Sequence, residues 1–369
     1  MAKRAVIAAG GTGGHFYPGL VLAQTLKARG WQPLMIVRRG DQALPTLEKE
    51  GIAASEIDLT GLPRRISPAW PGFAFKLLGS LRLLRRILKD FHPDAVVGMG
   101  GYLTFPTVLS AALRGIPRAV HESNAVLGLA NKMCGYFGAE LFWGLPPAHG
   151  QGALFGTPIR PALHKPGQKV PARRALGLDE NRLTVLVFGG SQGARSINRQ
   201  VPAALKALAR SAPGKIQALH LAGLREGELR EVEKAYAEAP LSFQALPFLD
   251  SMETAYAAAD LIICRSGAGT LAELAAQRKP AVLIPYPAAA SGHQEINARV
   301  LEKAGAAAVT LEKDLTAGLT PQLFDLLLSD KAGLRRAAMA QAYAKLGLPP
   351  AAQSALKLAE AVERMAHDT

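Results

Sequence analysis

Two cysteines, Cys134 and Cys264, are all that 369 residues contain. They lie far apart and form no Cys-x-x-Cys, which excludes a disulfide framework or a thiolate metal site and favours a reducing compartment. No run approaches the ~20 apolar residues that span a bilayer. The opening apolar run ends at Gly10, too short for a signal-peptide h-region, so it reads as a first strand and the protein as cytoplasmic and not integral. No Asp-x-Asp occurs, so a metal clamp of that kind is missing. Acidic residues are also missing from 59–89, where seven Lys and Arg stand.

What is present fits two domains. The length exceeds one ordinary core, and 49% hydrophobic residues can fill two. The net charge is +14 and uneven, with 18 basic and 9 acidic side chains in residues 1–160. Such a surplus suits an anionic lipid surface or nucleic acid, although a solvated basic face has the same composition.

Short apolar runs alternate with helical patterns. Strands are predicted at 4–9, 33–37, 53–58, 94–98, 117–121 and 139–143, then at 183–188, 216–221, 243–246, 260–264 and 280–284. Apolar strands separated by helices imply parallel sheets covered on both faces. The Pro- and Gly-rich stretch 144–182 has no clear strand and reads as the hinge region. RAVIAAGGTGG (4–14) is echoed by LTVLVFGGSQG (183–193). The fold class is therefore α/β, two Rossmann-like doubly wound lobes facing a cleft. The expected division is 1–160, joined by a last helix within about 347–369, and 161–346.

Three glycine turns join strands to helices: Gly10–His15, Gly98–Tyr102 and Gly189–Ala194. Such junctions let backbone N–H groups and the helix dipole meet an anion, or simply make a turn tight. The dinucleotide fingerprint fails because Phe16 occupies the place of its third glycine; Arg38 and Arg39 keep an NADP site open. The run from Gly189 to Gly193 also satisfies the hydrolase elbow G-x-S-x-G around Ser191, followed by Asp260 and His293, but no oxyanion loop precedes it. In residues 260–273, Thr270-x-x-Glu273 is either a capping box or, if the helix start holds a diphosphate, a carboxylate matched to a ribose cis-diol.

In one order, GGTGGH (10–15), GMGGY (98–102), HESN (121–124), GTPIR (156–160), GGSQGA (189–194) and SGAGTLAE (266–273) closely resemble the MurG family, the lipid-linked N-acetylglucosaminyltransferases of peptidoglycan synthesis. The resemblance runs from about residue 4 to 345. It implies a GT-B fold and an inverting transfer of GlcNAc from UDP-GlcNAc to the C4 hydroxyl of MurNAc in lipid I, giving lipid II and UDP, with no cofactor and no metal. It places Thr12, Gly13 and Gly14 at donor phosphate or acceptor pyrophosphate and Asn124 at GlcNAc hydroxyls. Arg160, Ser191 and Gln192 fall on the nucleotide side, and Leu249 near uracil. Ala268, Gly269, Thr270 and Leu271 line the diphosphate and base pocket, Glu273 holds the ribose, and Gln294 the sugar hydroxyls. The alternatives are a non-hydrolysing UDP-GlcNAc 2-epimerase, which shares fold and donor, and a Ser191 hydrolase.

An inverting transfer needs a base, and His15 is the first choice, with Glu122 and His121 in reserve; each could instead be a fixed hydrogen-bonding group. In residues 69–91, Leu77, Leu81, Leu84, Leu88 and Phe91 share one helical face and Arg82, Arg85, Arg86 and Lys89 fall elsewhere. That is a crossover helix on a sheet. With Trp70, Phe73 and Phe75 beside it, the basic stretch 64–89 also has the composition of an interfacial anchor, and implies peripheral docking on the cytoplasmic face of the cell membrane. No nucleic-acid partner is expected.

Overall fold

The computed structural model describes residues 2–10, 13–59, 69–238, 240–330 and 332–367, with the backbone alone at 69 and 70. It divides into two compact units, one running to Pro161 and resuming at Leu348, the other spanning Ala162–Gly347.

The first unit carries seven strands: β1 (Arg4–Ala8), β2 (Gln32–Arg38), β3 (Ala53–Ile57), β4 (Ala95–Gly98), β5 (Arg118–Glu122), β6 (Glu140–Trp143) and β7 (Ala153–Leu154). All pairs are parallel, in the order β3-β2-β1-β4-β5-β6-β7. Alternation along β1 sends Ile7 to one face and Val6 and Ala8 to the other. Ile7 meets Phe16 and Leu20 of the helix Gly13–Ala28 and Leu358 and Val362 of the last helix, Ala351–Met365. The last helix is also tied by a two-pronged Arg29–Glu363 pair at 2.7 Å. Val6 and Ala8 meet Leu84 and Leu88 of the helix Ala69–Phe91.

The second unit has β8 (Leu183–Phe188), β9 (Ile216–Leu221), β10 (Ser242–Leu246), β11 (Leu261–Cys264), β12 (Ala281–Leu283) and β13 (Ala307–Val309), again all parallel, in the order β10-β9-β8-β11-β12-β13. Both units are thus Rossmann-like, and in each the order reverses beside the first strand, between β1 and β4 and between β8 and β11.

The structure adds two strands. β7 lies inside the stretch expected to hold none, and β13 closes the second sheet; at two and three residues neither is long enough to set up a period. Among the described residues no helix is long and apolar enough to cross a membrane.

Candidate functional site

In a doubly wound sheet, ligands bind beyond the carboxyl ends of the strands where the order reverses. The glycine turns lie there in both units.

In the first unit, β1 runs into the helix Gly13–Ala28 and β4 into the helix Thr104–Ala112. Gly100 and Gly101 adopt φ of +92° and +78°, a region that strains any side chain. The imidazole of His15 fills the space their missing side chains leave: a Cβ on Gly100 would lie 2.9 Å from Cδ2 and one on Gly101 would lie 3.3 Å from Nδ1. The two turns are thereby moulded together around His15. Gly13 and Gly14 open the helix with exposed backbone, where N–H groups have no intrahelical acceptor. Thr12 lies outside the described residues. Arg160 stacks on the exposed ring of Tyr17, with its guanidinium carbon 5.5 Å from the centroid.

His121 and Glu122 end β5 and are buried. The His121 ring reaches the Gly156 carbonyl at 3.0 Å through Nε2 and Ser123 Oγ at 3.3 Å through Nδ1. Burial pulls its pKa down to about 4, against the opposing pull of the Gly156 carbonyl and the Glu122 charge. Glu122 is 4% exposed, and both oxygens are occupied. Oε1 accepts from the Asn124 backbone at 3.0 Å and side chain at 2.8 Å, and Oε2 from Gly128 N and Asn131 Nδ2, both at 2.9 Å. Four donors shape the loop that carries Asn124.

In the second unit, Gly189–Ala194 follows β8. Ser191 and Gln192 are exposed, and Ser191 O accepts from Leu224 N at 2.9 Å. The hydrolase alternative fails here. Asp260 stands before β11, held by Arg173, Lys169 and Thr184 N, at the opposite end of the sheet from Ser191. Roughly 13 Å of strand separates them at ~3.3 Å per residue. His293 turns to its own loop, with Nδ1 2.7 Å from Ala290 O.

The capping-box alternative is likewise not realised. The helix begins at Ala268 after an extended Gly267, and no side chain caps it. Ala268, Gly269, Thr270 and Leu271 form its first turn, and Glu273 lies beyond the reach of a cap. Its Oε2 accepts instead from Tyr256 Oη at 2.7 Å. Gln294 accepts from Tyr286 N at 3.0 Å through Oε1, while its carbonyl accepts from Ser266 Oγ at 2.7 Å. Leu249 follows β10, half-buried. Apart from Asp260, the described residues that the sequence assigned to substrate thus lie, within each unit, at the carboxyl ends of its strands.

Several residues in these assemblies carried no role in the sequence. Arg265 donates to Ile284 O, Pro285 O and Ser196 Oγ, pairs with Glu312 and stacks on Tyr286, fastening three loops together. Its signal was a charge at the end of an apolar strand, where burial requires a partner. Tyr256 and Asn131 sit inside ordinary helical patterns and gave none. A groove of ≈ 620 Å³ beside Arg265, lined by Gln200, Tyr286, Glu295 and Glu312 among others, contains none of the sequence-derived residues. Among the described residues no group of three His, Cys, Asp or Glu could hold a metal ion.

Residues 5–142 match the N-terminal domain of glycosyltransferase family 28 and residues 184–359 its C-terminal domain. Proteins named UDP-N-acetylglucosamine--N-acetylmuramyl-(pentapeptide) pyrophosphoryl-undecaprenol N-acetylglucosamine transferase are similar along the whole length. That of Elusimicrobium minutum is 37% identical over 98% of this chain and all of its own. That of Halorhodospira halophila is 38% identical over the whole of both. The crystal structure of Acinetobacter baumannii MurG, 30% identical, superposes with a TM-score of 0.80 over 98% of this chain and 99% of its own. CalG4, the calicheamicin glycosyltransferase, is 16% identical with a TM-score of 0.66 over 99% and 98%, a likeness of fold.

Proposed function

We infer the reaction from one premise: the chain belongs to glycosyltransferase family 28 and, within it, to the MurG family of N-acetylglucosamine transferases. It moves GlcNAc from UDP-GlcNAc to the MurNAc C4 hydroxyl of lipid I, with inversion, and releases UDP. One observation carries the donor reading. At the reversal point of the second sheet, Glu273 is oriented by Tyr256 beside a helix start that no side chain caps.

The second unit is accordingly the donor unit. The first-turn N–H groups of Ala268–Thr270 face the diphosphate, and the helix dipole favours the charge that grows on UDP as the C1–O bond breaks. Glu273 accepts both ribose hydroxyls. Ser191 and Gln192 approach the diphosphate from the β8 turn, Leu249 lies at the uracil, and the Gln294 amide meets sugar hydroxyls. Arg160 is assigned to the nucleotide side.

The first unit receives the acceptor. Its helix start at Gly13 and Gly14, with Thr12, faces the pyrophosphate. His15 takes the proton of the C4 hydroxyl as that oxygen attacks C1, a contribution of about 10²–10⁴-fold for a placed base. Glu122 acts differently from the reserve base it was in the sequence: with both oxygens engaged by four donors it positions Asn124, which meets GlcNAc hydroxyls. Basic and apolar residues on the outer side of the helix Ala69–Phe91 dock the enzyme peripherally on an anionic membrane, at its cytoplasmic face.

The test uses UDP-GlcNAc with a soluble lipid I analogue and no added metal. A β-1,4-linked disaccharide and stoichiometric UDP are expected, with no UDP release when the analogue is left out. Formation of UDP-ManNAc in place of disaccharide would overturn the reading in favour of an epimerase.

A further inference from the structure

We propose that His220 is a positioning residue for the donor turn: through Asn198 it fixes the Ala222–Gly223 backbone against which Gly189–Gly193 is moulded. His220 lies near the end of β9 and is 0% exposed. A polar ring there must find partners or destabilise the sheet. It finds two, Asn198 Oδ1 at 3.1 Å from Nε2 and Tyr236 Oη at 3.1 Å from Nδ1.

The proton positions follow by elimination. Asn198 Nδ2 faces two acceptors, Ala222 O at 2.8 Å and Glu228 Oε2 at 2.7 Å, so the amide can stand only one way round. Its oxygen then faces His220, whose Nε2 must carry the hydrogen. Nδ1 is left as an acceptor, and the Tyr236 hydroxyl donates to it. Burial keeps the ring neutral, with its pKa lowered to about 3, so this tautomer holds at any working pH.

Asn198 thus grips the Ala222 carbonyl. A Cβ on Gly193 would lie 2.0 Å from that oxygen, and one on Gly223 would lie 2.2 Å from Gly193 N. The two backbones therefore touch with no room for adjustment. The next residue, Leu224, donates to Ser191 O at 2.9 Å. At the far side, Glu228 Oε1 accepts from Arg195 Nε at 2.9 Å, so the residue following the turn is held by the same network. Tyr236, His220, Asn198 and Glu228 form one chain of hydrogen bonds that ends on the Ala222 carbonyl packed against the turn and on Arg195 just after it.

The inference rests on the reading that Gly189–Ala194 meets the donor, and Ser191→Ala tests that reading separately. The variants are His220→Leu, His220→Gln and Tyr236→Phe, with donor KM, acceptor KM, kcat, calorimetric UDP binding and melting temperature measured for each. His220→Leu should raise donor KM and weaken UDP binding about tenfold, the scale of a lost buried hydrogen bond, with acceptor KM unchanged. His220→Gln, whose amide N–H reaches the same point, should restore most of that loss. Tyr236→Phe leaves the buried Nδ1 without its donor and the ring held at one end only, and should raise donor KM about threefold; it carries the test if His220→Leu does not fold. A merely structural histidine would lower melting temperature and active fraction without moving donor KM. Unchanged donor KM in His220→Leu, equal losses in the Leu and Gln variants, or an unmoved Tyr236→Phe overturns the proposal. If Ser191→Ala leaves donor KM unchanged, the donor reading of the turn fails first.

Discussion

The imidazole of His15 lies against the backbone of Gly100, so closely that a methyl group there would come within 2.9 Å of its Cδ2. Two motifs 85 positions apart in the chain thus share one surface, and the ring has one place to stand.

This contact lets the role of His15 be tested from its neighbour. Gly100→Ala places a side chain at φ +92° and pushes the ring aside. His15→Gln retains a hydrogen-bonding amide but no basicity. If His15 is the base, His15→Gln should lower kcat about 10²-fold and Gly100→Ala about tenfold, each with donor KM nearly constant. A His15→Gln enzyme within threefold of wild-type kcat reduces His15 to a hydrogen-bonding group.

Glu273 gives a second separation. Because it lies past the first turn of its helix and is oriented by Tyr256, Glu273→Gln should leave the melting temperature almost unchanged and raise donor KM about tenfold. Kinetics and thermal melting read the two sides. A loss of more than about 1 kcal/mol in stability at constant KM would make Glu273 a structural group only.

The legible parts of this chain were those with a period or a repeated spacing. The central strands β1, β4, β8 and β11 are largely apolar and run into glycine-containing turns, so the strands and the turns beyond them could be read directly, whereas their order in the sheets could not. β13 could not, since Ala307–Val309 is apolar but too short to outvote the helices around it. The site was legible as a set of turns and not as partners. Whether Glu122 is a base or an anchor depends on four donors that converge only when the loop to Asn131 folds back. Thr270 and Glu273 carry a capping-box spacing, yet the N-cap is Gly267, three residues before Thr270, and the motif is displaced into the first turns. His220 left a weak trace, a polar residue inside a buried strand, and Asn198, its partner, lies 22 positions away.

Histidine burial predicts an acid-sensitive fold. His121 titrates at about 4 in the folded chain and near 6.5 when unfolded, and His220 lies lower still, at about 3. Between these values the unfolded chain binds more protons, so acid favours unfolding. The contribution is whole above pH 6.5 and is lost as pH falls towards 4, at up to about 1.4 kcal/mol per pH unit for each ring. Urea midpoints should therefore drop steadily from pH 7 to pH 5. His121→Gln, which can still donate to Gly156 O, should flatten the slope. Equal midpoints at pH 7 and pH 5 would contradict the burial of both rings.

The helix Ala69–Phe91 supports the remaining prediction. Leu84 and Leu88 are sealed against the sheet, and Phe73, half-buried, packs with them. The side chain of Trp70 and residues 64–68 lie outside the described residues. Phe75 and Leu78, by contrast, are 77% and 55% exposed, and Arg82, Arg85, Arg86 and Lys89 are exposed farther along the helix. The outward side therefore grades from apolar to basic, which suits shallow insertion at one end and headgroup attraction along the rest. Each basic residue near an anionic surface contributes about 1 kcal/mol, screened by salt. Binding to anionic vesicles should be strong at low salt and fall as salt rises. Phe75→Ser with Leu78→Ser should weaken binding at every salt concentration, whereas Arg85→Glu, Arg86→Glu and Lys89→Glu together should abolish the salt-sensitive part. Both variants should lose turnover of a long-chain polyprenyl acceptor and keep turnover of a water-soluble analogue, because a folding defect would depress the two together. Vesicle binding by the triple Glu variant at low salt, or retention of the wild type on DNA in preference to vesicles, would refute membrane docking.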